Sequence, residues 1–194
     1  MNFVEQMVGS TLIEYVAVTC GLLNVYFIIK RSIWNYLFGF VMVILYAKIF
    51  YDYRLYSDSL LQVFFFFTQV YGFFYWVNHK APDGKVLIAD LGKKSFVLGM
   101  LSTTVLWLLI SVLMRLYTDA THPNWDSAIA ALSVTAQILL MRRHIESWYL
   151  WIMVDLLAIG LFIVKDLTPT AVLYAVFLIL AIIGLLQWRV APRD

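Results

Sequence analysis

The chain reads as an all-α integral membrane protein: seven transmembrane helices, built as two parallel three-helix repeats joined by a linking helix. Three observations carry that reading. Hydrophobic residues make up 63% of the 194 positions and charged residues 13%, with a mean hydropathy of +0.84. A soluble domain is only about 45–50% apolar and about 25% charged. Seven apolar segments each approach the ~20 residues that span a bilayer. Finally, the chain registers on itself at an offset of 112 residues without a gap.

The first segment, Leu12–Ile29, opens near Glu14 and stops at Lys30-Arg31. An acid at a helix start favours the dipole, so capping is the expected role of Glu14 and of Asp126 at the start of the fifth segment. No basic leader or small-residue cleavage site precedes this segment, and it is expected to direct insertion itself. Cys20 is the single cysteine, which excludes an intramolecular disulfide or a cysteine metal cluster. The second segment, Ile33–Tyr51, carries Lys48, and the third, Ser59–Val77, ends in Gly72-x-x-x-Trp76. A loop follows, Asn78–Lys94, with Pro82-Asp83-Gly84 and four lysines, expected to be solvated. The fourth segment is Phe96–Leu116. The fifth, Ser127–Met141, is short, and Trp125 and Asp126 are candidates to extend it. Trp148–Val164 and Thr170–Trp188 complete the set. The implied organisation is a first repeat over 1–78, a cytoplasmic loop over 79–94, a linking helix over 95–117 and a second repeat over 118–194.

At the 112-residue offset Glu14 falls on Asp126, Lys30-Arg31 on Arg142-Arg143, Tyr36 on Trp148, Gly72 on Gly184 and Trp76 on Trp188. Apolar coincidences mean little in so apolar a chain. The acids, the basic pairs and the Gly-x-x-x-Trp endings are more specific. Three helices plus one inverting linker give both repeats the same orientation, a transporter plan with its site expected near the midplane between them. Of the fourteen Lys and Arg residues, ten follow helices one, three, five and seven: Lys30, Arg31, Lys80, Lys85, Lys93, Lys94, Arg142, Arg143, Arg189 and Arg193. The positive-inside rule places that side in the cytoplasm, the amino terminus outside and the carboxyl terminus inside.

The chemistry concentrates in Arg142–Asp155, where a basic, turn-like stretch runs into an apolar helix. Trp148, Trp151 and Asp155 share one face at ~100° per residue. A carboxylate at membrane depth costs roughly 2.5–3.5 kcal/mol on insertion scales and tends to face an interior or a watery cavity. Indoles beside an acid suit a flat cationic or polar heteroaromatic guest; the alternative is interface anchoring and a structural ion pair. Gln69, among the aromatics of helix three, and Gln137 either orient a ligand or bond between helices. Tyr71 is a phenol of the same helix as Gln69. His79, His122 and His144 are scattered through loops, which argues against a metal site. No phosphate loop, His-Glu-x-x-His or Gly-x-Ser-x-Gly is present. An enzyme is not expected, nor a cofactor, nor a nucleic-acid partner.

Several motifs resemble the PnuC family of bacterial vitamin transporters, which shares the fold of the SWEET sugar transporters. They are Asn35-Tyr36-Leu37-Phe38-Gly39, Leu55-Tyr56-Ser57-Asp58, Gln62 to Phe66, Tyr71 to Trp76, Trp125-Asp126-Ser127 and Glu146-x-Trp148-x-x-Trp151. The resemblance implies facilitated diffusion of a small, cationic, unphosphorylated vitamin across the bacterial inner membrane, trapped afterwards by a cytoplasmic kinase. It also implies a homotrimer in the lipid bilayer and a binding site drawn from Trp148, Trp151, Asp155, Gln69, Gln137 and Tyr71. Nicotinamide riboside is the family's default. Met42 and Ile183 stand where riboside-type members can carry asparagine, and Gly72 is followed by Phe73-Phe74 rather than Trp-Tyr. Thiamine, also cationic and aromatic, therefore stays open. A binding or sensor subunit without transport is the alternative from another class.

Overall fold

The computed structural model describes residues 12–52 and 56–193. Seven helices lie among them: α1 (Leu12–Ile29), α2 (Asn35–Asp52), α3 (Tyr56–Val77), α4 (Lys93–Tyr117), α5 (Pro123–Met141), α6 (Ser147–Val164) and α7 (Thr168–Arg189). All but α5 are both long and apolar enough to cross a bilayer. Helix α5 begins at Pro123, so Trp125 and Asp126 do extend it. Asn124, Asp126, Ser127, Ser133, Thr135 and Gln137 dilute its apolarity.

The internal repeat is visible in the helix boundaries. Moved by 112 residues, the start of α2 falls on that of α6, the end of α3 on that of α7 and the end of α1 on that of α5. The helix stops repeat too. Arg31 (φ 56°) and Arg143 (φ 67°), one offset apart, both adopt the left-handed conformation just past their helices. Beyond Arg31, the Ser32 N–H returns to the Phe27 carbonyl at 2.9 Å; beyond Arg143, the His144 N–H returns to Leu139 at 2.9 Å. These are the return bonds of a Schellman ending, a position glycine usually fills. Asp166 (φ 57°) closes α6 in the same way, with Leu167 N–H bonded to the Phe162 carbonyl at 2.8 Å.

The chain divides into two compact units. The first holds residues up to Ile88 together with Met141–Arg143 and the residues from Val190. In it α1 packs on α2 and α2 on α3. Tyr36 meets Trp76 edge to face, centroids 5.5 Å apart at 89°, and Phe27 stacks on Phe38 at 5.3 Å.

The same unit corrects the expectation of a wholly solvated loop. Lys80 and Lys85 are exposed, and a tight turn through Gly84 (φ 76°) brings Lys80 opposite Val86. Beyond the turn the chain is extended, and its alternate side chains Val86 and Ile88 are fully buried. The Val86 N–H donates to the Arg31 carbonyl at 3.0 Å and the Ile88 N–H to Pro192 at 3.1 Å. Arg31 Nη1 donates to the Val86 carbonyl at 3.0 Å, and Arg143 Nη1 to the next carbonyl, Leu87, at 2.9 Å. This is why arginine rather than glycine ends these helices. Each side chain satisfies a carbonyl of the extended segment, which offsets the ~1 kcal/mol or more of a left-handed non-glycine residue.

The second unit holds Ala89–Leu140 and His144–Arg189. Thr103 of α4 and Thr135 of α5 share a hydrogen bond of 2.7 Å. Trp107 Nε1 donates to the Asn124 carbonyl at 2.9 Å. Asp126, in the first turn of α5 as expected, also pairs with Lys165 at 2.8 Å. Trp125 reaches from α5 to the Leu157 carbonyl of α6 at 2.9 Å and lies over Gly160. Helix α7 packs along α6.

Candidate functional site

Helix α6 carries the candidate face of the second unit, with Trp148, Trp151 and Asp155 on it. It starts where the Ser147 N–H bonds to the His144 carbonyl at 3.1 Å, with Glu146 at the cap position. Glu146 turns one carboxylate oxygen away from the helix to accept the Leu91 N–H at 3.0 Å. The run Trp148 to Val164 is then apolar except for Asp155. Asp155 is only 4% exposed. Among the described residues its carboxylate has no hydrogen-bond or ion-pair partner. A buried carboxylate without a partner is costly and calls for an explanation.

The two tryptophans on this face do different things. Trp148 is 3% exposed, meets Trp188 edge to face at 5.4 Å and 90°, and lies flat over Gly184. A Cβ on Gly184 would come within 2.5 Å of the Trp148 ring. The first unit repeats this packing: Tyr36 meets Trp76, and a Cβ on Gly72 would come within 2.6 Å of the Tyr36 hydroxyl. Trp148 is thus wedged as its counterpart is, although its indole Nε1 is buried without an acceptor among the described residues. Trp151 is only partly buried, against Ala136, Leu139 and Leu150. It is the freer of the two rings. Gln137 of α5, next to Ala136, is partly buried and already has a bonding partner.

The remaining two expected residues belong to the first unit. Gln69 of α3 is buried, and its carboxamide sits where a Cβ on Gly39 would stand. Asn24 of α1 reaches the same point and donates from Nδ2 to the Asn35 carbonyl at 2.8 Å. Tyr71 faces outward, 46% exposed, and stacks on Tyr75 at 5.7 Å.

Asn24 was missed by motif reading, but the repeat contains a signal for it. At the 112-residue offset Asn24, Gly39 and Gln69 fall on Ala136, Trp151 and Ala181. At these three positions one repeat holds two amides around a glycine, and the other a tryptophan and two alanines.

The model of the nicotinamide mononucleotide transporter family matches residues 11–190. The nicotinamide riboside transporter PnuC of Escherichia coli K12 is 26% identical, covering 94% of this chain and 87% of its own. That of Neisseria mucosa is 30% identical, covering 89% and 70%. The riboflavin/roseoflavin transporter RibM of Streptomyces davaonensis is 23% identical, covering 97% and 86%. Among solved structures, the crystal structure of the vitamin B3 transporter PnuC superposes with a TM-score of 0.77. It is 28% identical, covering 91% of this chain and 80% of that one.

Proposed function

This chain belongs to the nicotinamide mononucleotide transporter family, and from that premise we propose that it carries nicotinamide riboside down its gradient. It is a multi-pass membrane transporter of a bacterial vitamin-transport family, not an enzyme. The observation that carries the substrate reading is Asp155, a buried acid without a partner among the described residues, beside Trp151 on one face of α6. The pyridinium of the riboside is a flat cation. Trp151 offers it a stacking surface, Asp155 the opposite charge, and Gln137 an amide for the carboxamide or a ribose hydroxyl. Trp148 holds Trp151's helix in place through its wedge on Gly184. Within the first unit, Gln69 and Asn24 form a buried amide pair around Gly39.

Thiamine fits the same charge and flatness, but the relatives are named for the riboside and for riboflavin, and it is not favoured. The basic loops face the cytoplasm, with the amino terminus outside. Uptake is uncoupled, and a cytoplasmic kinase traps the unphosphorylated vitamin. The assembly is a homotrimer. The test is flux into liposomes containing the purified protein, with riboside and thiamine supplied in separate runs. Riboside equilibration at a saturable rate supports the reading. Thiamine flux alone transfers it to thiamine, and binding without flux makes the chain a capture or sensor subunit.

A further inference from the structure

The start of α4 carries a shallow, open apolar hollow of about 410 Å³ lined by the stems of Lys93 and Lys94 and by Val97, Leu98 and Leu101. Val97, Leu98 and Leu101 are well exposed. Both lysines are exposed too, and neither pairs with an acid among the described residues. The nearest acid in sequence, Asp90, is already engaged. Two exposed cations in the first turn beside an open apolar surface have a definite complement: one anionic group joined to a hydrocarbon tail.

The depth is right for such a molecule. Helix α4 has 25 residues and is therefore ~37 Å long, more than the ~30 Å of the hydrocarbon core. A helix of that length centred on the core brings its first turn to headgroup level, with Val97, Leu98 and Leu101 one turn deeper. The lysines also occupy an unfavourable place in local terms. Cations at a helix start oppose its dipole, and Gly92 at the cap supplies no side-chain acceptor. A bound anion relieves both defects. A second copy of the chain would have to bring acids to this rim, and a free water-soluble anion would leave the hollow unfilled.

We propose that this hollow binds one anionic glycerophospholipid, its phosphate held by Lys93 and Lys94 and an acyl chain lying along Val97, Leu98 and Leu101. The site is separate from the α6 face and does not depend on which vitamin is carried.

The test is native mass spectrometry of the full chain in detergent, with equal amounts of dioleoyl phosphatidylglycerol and dioleoyl phosphatidylcholine. The wild type should retain one phosphatidylglycerol in preference. Lys93→Gln with Lys94→Gln should weaken that retention by ~5-fold per lysine, ~25-fold for the pair, while Lys80→Gln with Lys85→Gln should leave it unchanged. Val97→Trp, which fills the hollow, should lower it with the lysines intact. Equal retention of the two lipids, or equal loss in the two lysine pairs, overturns the proposal. So does displacement by inorganic phosphate that Val97→Trp leaves unaltered, which would indicate an anion site without a lipid. If Val97→Trp instead breaks an oligomer without changing lipid retention, the face joins copies of the chain and the proposal falls.

Discussion

Replacing Asp155 by Asn keeps the shape of the side chain and removes its charge. At 4% exposure and without a partner among the described residues, Asp155 contributes little to holding α6 in place. Its expected effect is therefore on the guest. Two unit charges about 4 Å apart interact by ~4 kcal/mol at an effective dielectric of ~20. Part of that is offset because the asparagine amide is cheaper to leave buried when the site is empty. A net loss of about 2–3 kcal/mol remains, which weakens the binding of the pyridinium riboside by roughly 30- to 150-fold. The assay is ligand quenching of intrinsic tryptophan fluorescence, run with the cationic riboside and with its neutral dihydropyridine form. The neutral form keeps the carboxamide and ribose on a reduced, uncharged ring, so its affinity for Asp155→Asn should match its affinity for the wild type. Equal losses for both forms would refute the reasoning and make Asp155 a structural residue. A large fall in melting temperature on Asp155→Asn would point the same way.

Three further outcomes follow from the packing. Trp151→Ala should weaken riboside binding by about 1–3 kcal/mol with little change in melting temperature; Trp148→Ala, which empties a buried wedge, should destabilise by about 3–5 kcal/mol. Thermal unfolding and fluorescence titration of both variants separate the roles, and a reversed pattern would exchange them. Gly184→Ala should cost about 1–3 kcal/mol, because a Cβ 2.5 Å from the Trp148 ring forces that ring to move. Gly72→Ala should cost a similar amount, since its Cβ would stand 2.6 Å from the Tyr36 hydroxyl; unchanged melting in either one breaks the packing parallel between the repeats. Arg143→Ala should destabilise by about 1–3 kcal/mol, since it leaves the Leu87 carbonyl without its donor. Hydrogen exchange should then rise first at Val86 to Ala89, and exchange confined to α5 would contradict the anchoring role.

Much of the architecture follows from the chain's own pattern. Apolar stretches of membrane-spanning length have one economical solution in lipid, the helix, because every backbone N–H and C=O must be satisfied within the segment. The segment ends Ile29, Val77, Met141 and Val164 read from the sequence coincide with the ends of α1, α3, α5 and α6. The 112-residue register reappears in helix ends, in Arg31 and Arg143, and in the Gly–ring–Trp packing, because the matched residues occupy equivalent places. Trp148, Trp151 and Asp155 share a face because helical periodicity is local.

What packing settled is how each of those residues is used. Helical spacing treats Trp148 and Trp151 alike, yet Gly184 and Trp188 of α7 close over one and leave the other partly open. Tyr71 and Gln69, two residues apart on α3, end on opposite sides: one exposed, the other buried against Gly39. A loop rich in lysine reads as solvated, but Val86 and Ile88 are buried because arginines more than fifty residues away on either side bond their segment's carbonyls. Local pattern governs which backbone forms a helix, since those hydrogen bonds close within four residues. Burial depends on which distant side chains arrive, and that is a property of the folded chain alone.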